Sequence, residues 1–290
     1  MYAVTGVTGQ VGGATARALL AAGQAVRAVL RDPAKAALWE KLGASVAIAD
    51  AGDAAALKRA FSGVDGAYVM VPPDFDPQPG FPGARAAIGA QVEALAAAAV
   101  PQVVALSSIG GQRSSGLGLI TQSHLLEQAL AGLKASIAIL RPGWFMENSA
   151  WDLAPARETG AMPSFLDPLD RPYPMVATAD IGKVAAQVLA QQWQGRRVIE
   201  IGGPKRYTQH EIAALLGRVL GREVQASAVP RAQWEALFRS QGMQRPAPRI
   251  EMIDGFNSGW IEFEPGVNEH LTGATGYEAV LAGLVSRQAV

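Results

Sequence analysis

Thr5-Gly6-Val7-Thr8-Gly9-Gln10-Val11-Gly12-Gly13 is the segment whose residue types and spacing point most directly to chemistry. It lies between a short β-branched run and an alanine-rich helical window, where a chain turning from strand to helix can wrap a phosphate. Gly6 permits the tight turn, Gly9 lets the backbone approach a pyrophosphate without a Cβ in the way, and Gly12 allows the helix to pack closely on the strand. The helix N-terminus adds unpaired N–H groups and a partial positive charge that favour the phosphates. The spacing is G-x-x-G-x-x-G, one residue longer than the common G-x-G-x-x-G. Glycines also mark plain turns, and it is the flanking strand and helix that make this triplet a dinucleotide site.

Selection between the two nicotinamide dinucleotides falls about twenty residues further on, at the end of the second strand. The residues there are Leu30-Arg31-Asp32-Pro33. An acid would read the ribose hydroxyls of NAD, and an arginine the 2′-phosphate of NADP. Asp32 before Pro33 is a helix N-cap arrangement, which leaves Arg31 to face the adenosine ribose. The sequence therefore predicts NADP(H).

These groups need a scaffold that brings strand ends together. Over residues 1–140, β-branched runs alternate with Ala/Leu-rich windows: strands at 2–5, 25–30, 45–49, 66–71, 102–106 and 135–140, with helices between them. That alternation predicts an α/β fold, a doubly wound parallel sheet of the Rossmann kind. After Leu140 the texture changes, and residues 141–174 hold six prolines, too many for regular elements. A helix from Thr178 and a strand at 197–201 follow, then helices at 209–220 and 231–241, a short strand at 224–228 and an aromatic, glycine-containing tail. The expected division is a dinucleotide-binding domain over 1–148, joined again by 175–203, and a smaller α/β substrate lobe over 149–174 and 204–290.

Composition excludes several classes. Of the 290 residues, 49% are hydrophobic and 17% charged, enough apolar material for a core and too much for disorder. Lys plus Arg equals Asp plus Glu at 25 each, so no net charge marks a nucleic-acid or anionic-membrane partner. With no cysteine there is neither a thiol nucleophile nor a thiolate metal site, and the three histidines (His124, His210, His270) lack metal-ligand spacing. The longest apolar stretch, 94–100, is far short of a membrane span. Met1 runs straight into a strand, which leaves no room for a signal peptide. A soluble, cytoplasmic protein without metal is expected.

The loop 5–12 and Leu30-Arg31-Asp32-Pro33, together with Leu106-Ser107-Ser108-Ile109-Gly110 and Leu140-Arg141-Pro142-Gly143-Trp144-Phe145-Met146-Glu147-Asn148, resemble the NmrA-like branch of the atypical short-chain dehydrogenase/reductases. Thr178-Ala-Asp180-Ile181 and Asp254-Gly255-Phe256-Asn257-Ser258-Gly259 extend the similarity over most of the chain. The resemblance implies NADPH-dependent quinone or flavin-free azo-dye reduction, isoflavone-reductase-like chemistry, or NADPH sensing without catalysis. It implies that residues 8–12 hold the pyrophosphate and Arg31 the 2′-phosphate, while Val71, Pro72 and Pro73 line the adenine-side ribose. Ser107 would sit beside the nicotinamide, and Pro142, Gly143, Trp144 and Phe145 would cover its face and open into the substrate pocket. Strand alternation alone leaves open which of Ser107 and Ser108 faces the cofactor.

One departure matters. The wider superfamily uses a Tyr-x-x-x-Lys pair as its proton donor, and none of the five tyrosines here has a lysine four residues later. Ile120 and His124 stand in those places. His124 and Glu127, three apart on one helix, share a face, so a carboxylate could orient the imidazole as a proton donor or ribose partner. The alternative for His124 is a half-buried histidine capping local polar groups. Trp144, Phe145, Trp151, Met162, Phe165, Phe256 and Trp260 could roof a pocket for a planar aromatic substrate, or simply pack the lobe. Glu147 and Asn148 read as pocket polar groups or turn residues, His210 and His270 as surface residues, and Thr178 and Asp180 as helix-starting residues. The leading expectation is an NADPH-dependent reductase of an electron-poor aromatic acceptor, azo compound or quinone, without flavin. The alternative is an NADPH sensor without turnover.

Overall fold

In the computed structural model of the protein, which describes residues 1–266 and 269–287, the first half forms the expected repeating units. In chain order they are β1 (Tyr2–Val4), α1 (Gln10–Ala21), β2 (Val26–Leu30), α2 (Ala36–Lys41), β3 (Ser45–Ile48), α3 (Ala54–Phe61), β4 (Gly66–Met70), α4 (Pro82–Ala97), β5 (Gln102–Leu106), α5 (Thr121–Leu130) and β6 (Ser136–Pro142). Helices α2 and α5 are entered through 3-10 turns at Pro33–Lys35 and Gly118–Ile120. The second half supplies β7 (Trp144–Phe145), α6 (Leu153–Thr159), β8 (Ala161–Ser164), β9 (Tyr173–Val176), α7 (Thr178–Leu189), β10 (Arg196–Gly202), β11 (Arg206–Tyr207), α8 (Gln209–Leu220), β12 (Gln225–Ala228), α9 (Trp234–Ser240), α10 (Ala247–Ser258), β13 (Glu269–Thr272) and α11 (Tyr277–Arg287).

Among the described residues the main sheet has eight strands in the order β13-β10-β6-β5-β4-β1-β2-β3, and every pairing in it is parallel. Chain order runs outward in both directions from the β4/β1 junction. The crevice for a ligand therefore lies beyond the carboxyl ends of those two strands. Both faces of the sheet are buried. Val4, Tyr68, Val104 and Leu140 pack toward α1 and α7, while Ala3, Val69, Val103 and Ile139 pack toward α3, α4 and α5. Helices α1 and α7 cross closely at Gly182, where a Cβ would come within 2.4 Å of the Ala14 methyl.

Two regions differ from the sequence reading. The proline-rich stretch 141–174 does carry regular structure. Its strands β7, β8 and β9 are only two to four residues long and lie in small sheets, where a proline need not interrupt a long ladder. In the tail, β13 pairs with β10 and forms the edge of the large sheet, although residues 204–290 were assigned to the smaller lobe. Its sequence, Glu-His-Leu-Thr, has no apolar run to announce a strand, because an edge strand needs only a partner for its backbone. Helix α10 was also unforeseen, since Pro248 and Gly255 obscure its pattern; Pro248 sits in the first turn, where its missing N–H costs nothing. The last three residues of the expected lobe lie outside the described residues. The core beneath the lobe gathers Leu153, Leu216, Phe256 and Leu281 together with Met146 and Met175, which the expected division places in the dinucleotide-binding part.

Candidate cofactor and substrate site

At the strand-order switch the glycine loop has the geometry that an anion cradle requires. Gly6 has φ +62°, a left-handed conformation that suits glycine. A Cβ on Gly12 would lie 2.4 Å from the Gly6 carbonyl oxygen and 2.6 Å from that of Thr5, so this glycine is what lets α1 sit against β1. Thr8, Gly9 and Gln10 are exposed, whereas the Val11 side chain is packed in the core and can offer a ligand only its N–H. Gly9 is the N-cap of α1 and gives no side-chain cap, leaving the first-turn N–H groups for a ligand. Arg31 is exposed and, among the described residues, has no hydrogen bond or ion pair. Asp32 is engaged, its Oδ1 accepting from Ala34 N–H at 3.0 Å. Of the two candidates at the end of β2, Asp32 is turned to the helix cap through Oδ1, and Arg31 has no partner among the described residues. A cleared cradle beside a helix N-terminus and an unpaired guanidinium fits a dinucleotide with a 2′-phosphate.

Beyond β4, Val71 is half-buried and Pro72 exposed. The loop that follows is held at two points. The Gln122 amide of α5 donates to the Asp74 carbonyl at 2.9 Å. The Asp76 carboxylate accepts the backbone N–H groups of Gln244 and Arg245 at 3.0 and 2.5 Å. A groove of about 670 Å³ lies beside this second contact, lined by Pro79, Phe81, Arg239 and Ile250, but none of the predicted site residues lines it.

After β5 the two serines part. Ser107 is buried and donates its hydroxyl to Glu127 Oε1 at 2.5 Å. Ser108 is half-buried, and its hydroxyl has no hydrogen bond among the described residues. The same Glu127 accepts from Arg141 Nε at 2.9 Å and Nη2 at 2.7 Å, with both side chains at least nine-tenths buried. The expectation that Glu127 orients His124 is therefore corrected: its carboxylate is taken by Arg141 and Ser107. His124, half-buried, is held instead by its Nδ1 on the Gly111 carbonyl at 2.9 Å. Ile120, in the tyrosine position, is buried in the lobe core. All five tyrosines are buried; burial raises the phenol pKa of Tyr68 and Tyr277, and pushes that of Tyr173 up to about 12.

The short strand β7 separates the two aromatics that follow Pro142, itself buried at the end of β6. Trp144 faces the lobe core, while Phe145 packs toward the sheet core, because successive side chains of a strand point to opposite faces. Phe256 is almost fully buried and meets Trp144 edge-on at 5.1 Å, so it supports that ring. The wider roof is not assembled. Phe165 packs with Trp234 and Phe238, Trp260 stacks on Arg113 at 4.1 Å, and Trp151 is 79% exposed.

Glu147 is a structural cap: its carboxylate accepts the Thr178 hydroxyl at 2.7 Å and the Thr178 N–H at 3.0 Å, at the start of α7. Asn148 is exposed. Asp180, in the first turn of α7, accepts from Thr275 N–H at 2.7 Å and Lys183 at 3.0 Å. Burial opposes its ionisation, but these donors hold its carboxyl below the usual range. His210 is on the surface as expected, but His270 is not a plain surface residue: its Nε2 lies 3.1 Å from the fully buried Glu200. Sequence reasoning missed the parts played by Gly111, Arg141, Asp76 and Arg245. Arg141 lay inside a quoted motif; the others gave no signal, since their partners are remote in sequence.

Residues 2–252 match the NmrA-like family. The chain belongs to that family. Among its NmrA-like relatives, quinone oxidoreductase 2 of Escherichia coli (strain K12) is 29% identical over 84% of this chain and 82% of its own length. The NAD(P)H azoreductase of Xenophilus azovorans is 28% identical over the same shares. The solved NADPH complex of the NADPH-dependent quinone oxidoreductase of Escherichia coli superposes with a TM-score of 0.80 at 26% identity, covering 100% of both chains. The Citrobacter sp. triphenylmethane reductase, solved with NADP(H), shares the fold at a TM-score of 0.79 and 20% identity, over 100% of this chain and 99% of its own.

Proposed function

We propose that this NADPH-dependent reductase acts on a small, electron-poor aromatic acceptor, a quinone or an azo compound, and needs no flavin. The observation that carries the reading is the absence of a phenol from the site, with every tyrosine buried and Ile120 in the tyrosine position. A ketone needs a strong general acid as its oxygen gains charge. A quinone or azo nitrogen is electrophilic enough to be reduced with a weaker donor, which leaves the protein chiefly positioning and water exclusion. The relatives named as quinone oxidoreductase and azoreductase support the same class.

Bound NADPH would supply a hydride from its dihydronicotinamide ring. The first-turn N–H groups of α1 would hold the pyrophosphate. Arg31 would pair with the 2′-phosphate, and Val71 and Pro72 would flank the adenine-side ribose. Trp144, supported by Phe256, would close the nicotinamide side against water and present a flat apolar wall to a planar ring, while Phe145, on the opposite face of β7, would brace that strand against the sheet. Asn148, exposed just beyond, would meet polar substituents at the rim. Ser108, rather than the tethered Ser107, has the hydroxyl free for a cofactor or substrate group. His124 would give the acceptor its proton.

The test is NADPH oxidation by the purified protein without flavin, against quinones, azo dyes and simple ketones. Turnover of the first two classes and not of ketones is expected. Turnover confined to ketones, or dependent on added flavin, would overturn the reading.

A further inference from the structure

Glu127 and His124 lie one turn apart on α5, and both meet Gly111. The Gly111 carbonyl takes the His124 Nδ1 contact. On its other side, a Cβ at Gly111 would lie 2.5 Å from Glu127 Oε1 and 2.7 Å from Ser107 Oγ. The turn is anchored further by Gly111 N–H on the Ser108 carbonyl at 3.0 Å and by Ile109 N–H on the Pro142 carbonyl at 2.9 Å. The buried Ser107–Glu127–Arg141 cluster is thus the floor on which the 108–111 turn rests, and that turn aims one carbonyl at the imidazole. A carbonyl oxygen can only accept, so Nδ1 must carry a hydrogen. The tautomer of a histidine is set by the bond its other nitrogen makes.

We infer that Glu127 and Arg141 are positioning residues that, through Ser107 and Gly111, lock the His124 tautomer and leave Nε2 as the nitrogen that exchanges a proton with the acceptor. This rests on the reading of His124 as the proton donor. In the step, the Nε2–H bond of the cationic ring breaks, and an O–H or N–H bond forms on the acceptor atom that has gained charge. The ring is left neutral with its hydrogen on Nδ1, and a proton from bulk solvent, the one the overall reduction consumes, restores Nε2–H. The electrons come from NADPH, the reductant of the proposed activity. A buried ion pair is a poor source of stability compared with apolar packing; holding a backbone carbonyl in one place is a use that apolar side chains would not serve.

The experiment is nitrogen-15 NMR of the imidazole rings in the cofactor-free protein, at a pH where the rings are neutral. A His124→Gln variant assigns the signal among the three histidines. His124 should be predominantly the Nδ1–H tautomer. In Gly111→Ala the ratio of Nδ1–H to Nε2–H should fall roughly fivefold, the equivalent of one hydrogen bond. Ser107→Ala keeps the Glu127–Arg141 pair, should fold where Gly111→Ala does not, and should move the ratio in the same direction. A predominantly Nε2–H ring in the parent, or an unchanged ratio in the variants that fold, would overturn the inference. Full turnover by His124→Gln would overturn it as well. The expected tautomers with no turnover on any aromatic acceptor would support the positioning role and remove only the acceptor reading.

Discussion

Arg245 and Asp76, 169 residues apart, clasp each other: Arg245 donates through Nε and Nη2 to the Asp76 carbonyl at 3.0 and 2.7 Å, while the Asp76 carboxylate accepts Arg245 N–H. One partner follows β4 and belongs to the loop beside the proposed ribose site. The other lies between α9 and α10. The clasp ties the loop that would border the cofactor to elements more than a hundred residues away. Burial works against the Asp76 charge, but the N–H groups of Gln244 and Arg245 and the charge of Arg245 hold its carboxyl below the usual range. Arg245→Ala removes the side-chain half of the clasp but leaves the backbone N–H groups on the Asp76 carboxylate. It should loosen the loop and raise the Kd for NADPH roughly threefold to tenfold, the loss of about one net hydrogen bond. Fluorescence titration checks this, and an unchanged Kd would show that the loop is ordered without the clasp.

Arg31 should decide between the two dinucleotides. It is exposed and has no partner among the described residues, so its removal leaves no orphaned acid there. Arg31→Ala should weaken NADPH binding on the order of 10- to 100-fold and leave NADH binding nearly unchanged, as expected for one lost charged hydrogen bond to phosphate. Equal losses for both cofactors would place the arginine elsewhere.

Gly12 is required by packing before any ligand is bound. Gly12→Ala must push α1 away from the backbone oxygens of Gly6 and Thr5. The expected cost is about 1–3 kcal/mol of stability, in the range of overpacked sites, together with a loss of NADPH affinity. Denaturant unfolding and titration measure the two effects on the same variant.

Asp152 should make stability depend on pH. Burial pushes its carboxyl up to about 6, partly offset by a hydrogen bond from Ser149. A pKa raised in the folded state gives stability that is full below the unfolded value, about 3.9, and lost as pH rises through the folded value. Near neutrality the fold therefore holds a poorly solvated charge. Asp152→Asn should stabilise the protein by on the order of 1–3 kcal/mol at about pH 8, and the gain should vanish near pH 4. Thermal melts at the two pH values test this; an equal gain at both would point to something other than the charge.

The sequence by itself determined the doubly wound sheet, the glycine turn between β1 and α1, and the helix cap that engages Asp32 beside Arg31. Each depends on contacts within a few residues: a strand turning into a helix at Gly6, a helix cap at Asp32, and a repeating period of apolar residues. Only the tertiary structure decided what Glu127 does, because its partners Arg141 and Ser107 reach it from two strand ends and outcompete His124, its neighbour on the same helix. Likewise it alone joined β13 to the large sheet, set Asp76 against Arg245 and turned Phe256 into a prop for Trp144. The β13 ladder is made by backbone groups alone, and the other relations join distant segments through a few polar or ring contacts. Such contacts leave no periodic trace in the chain, since one correctly placed side chain on each partner is enough to make them.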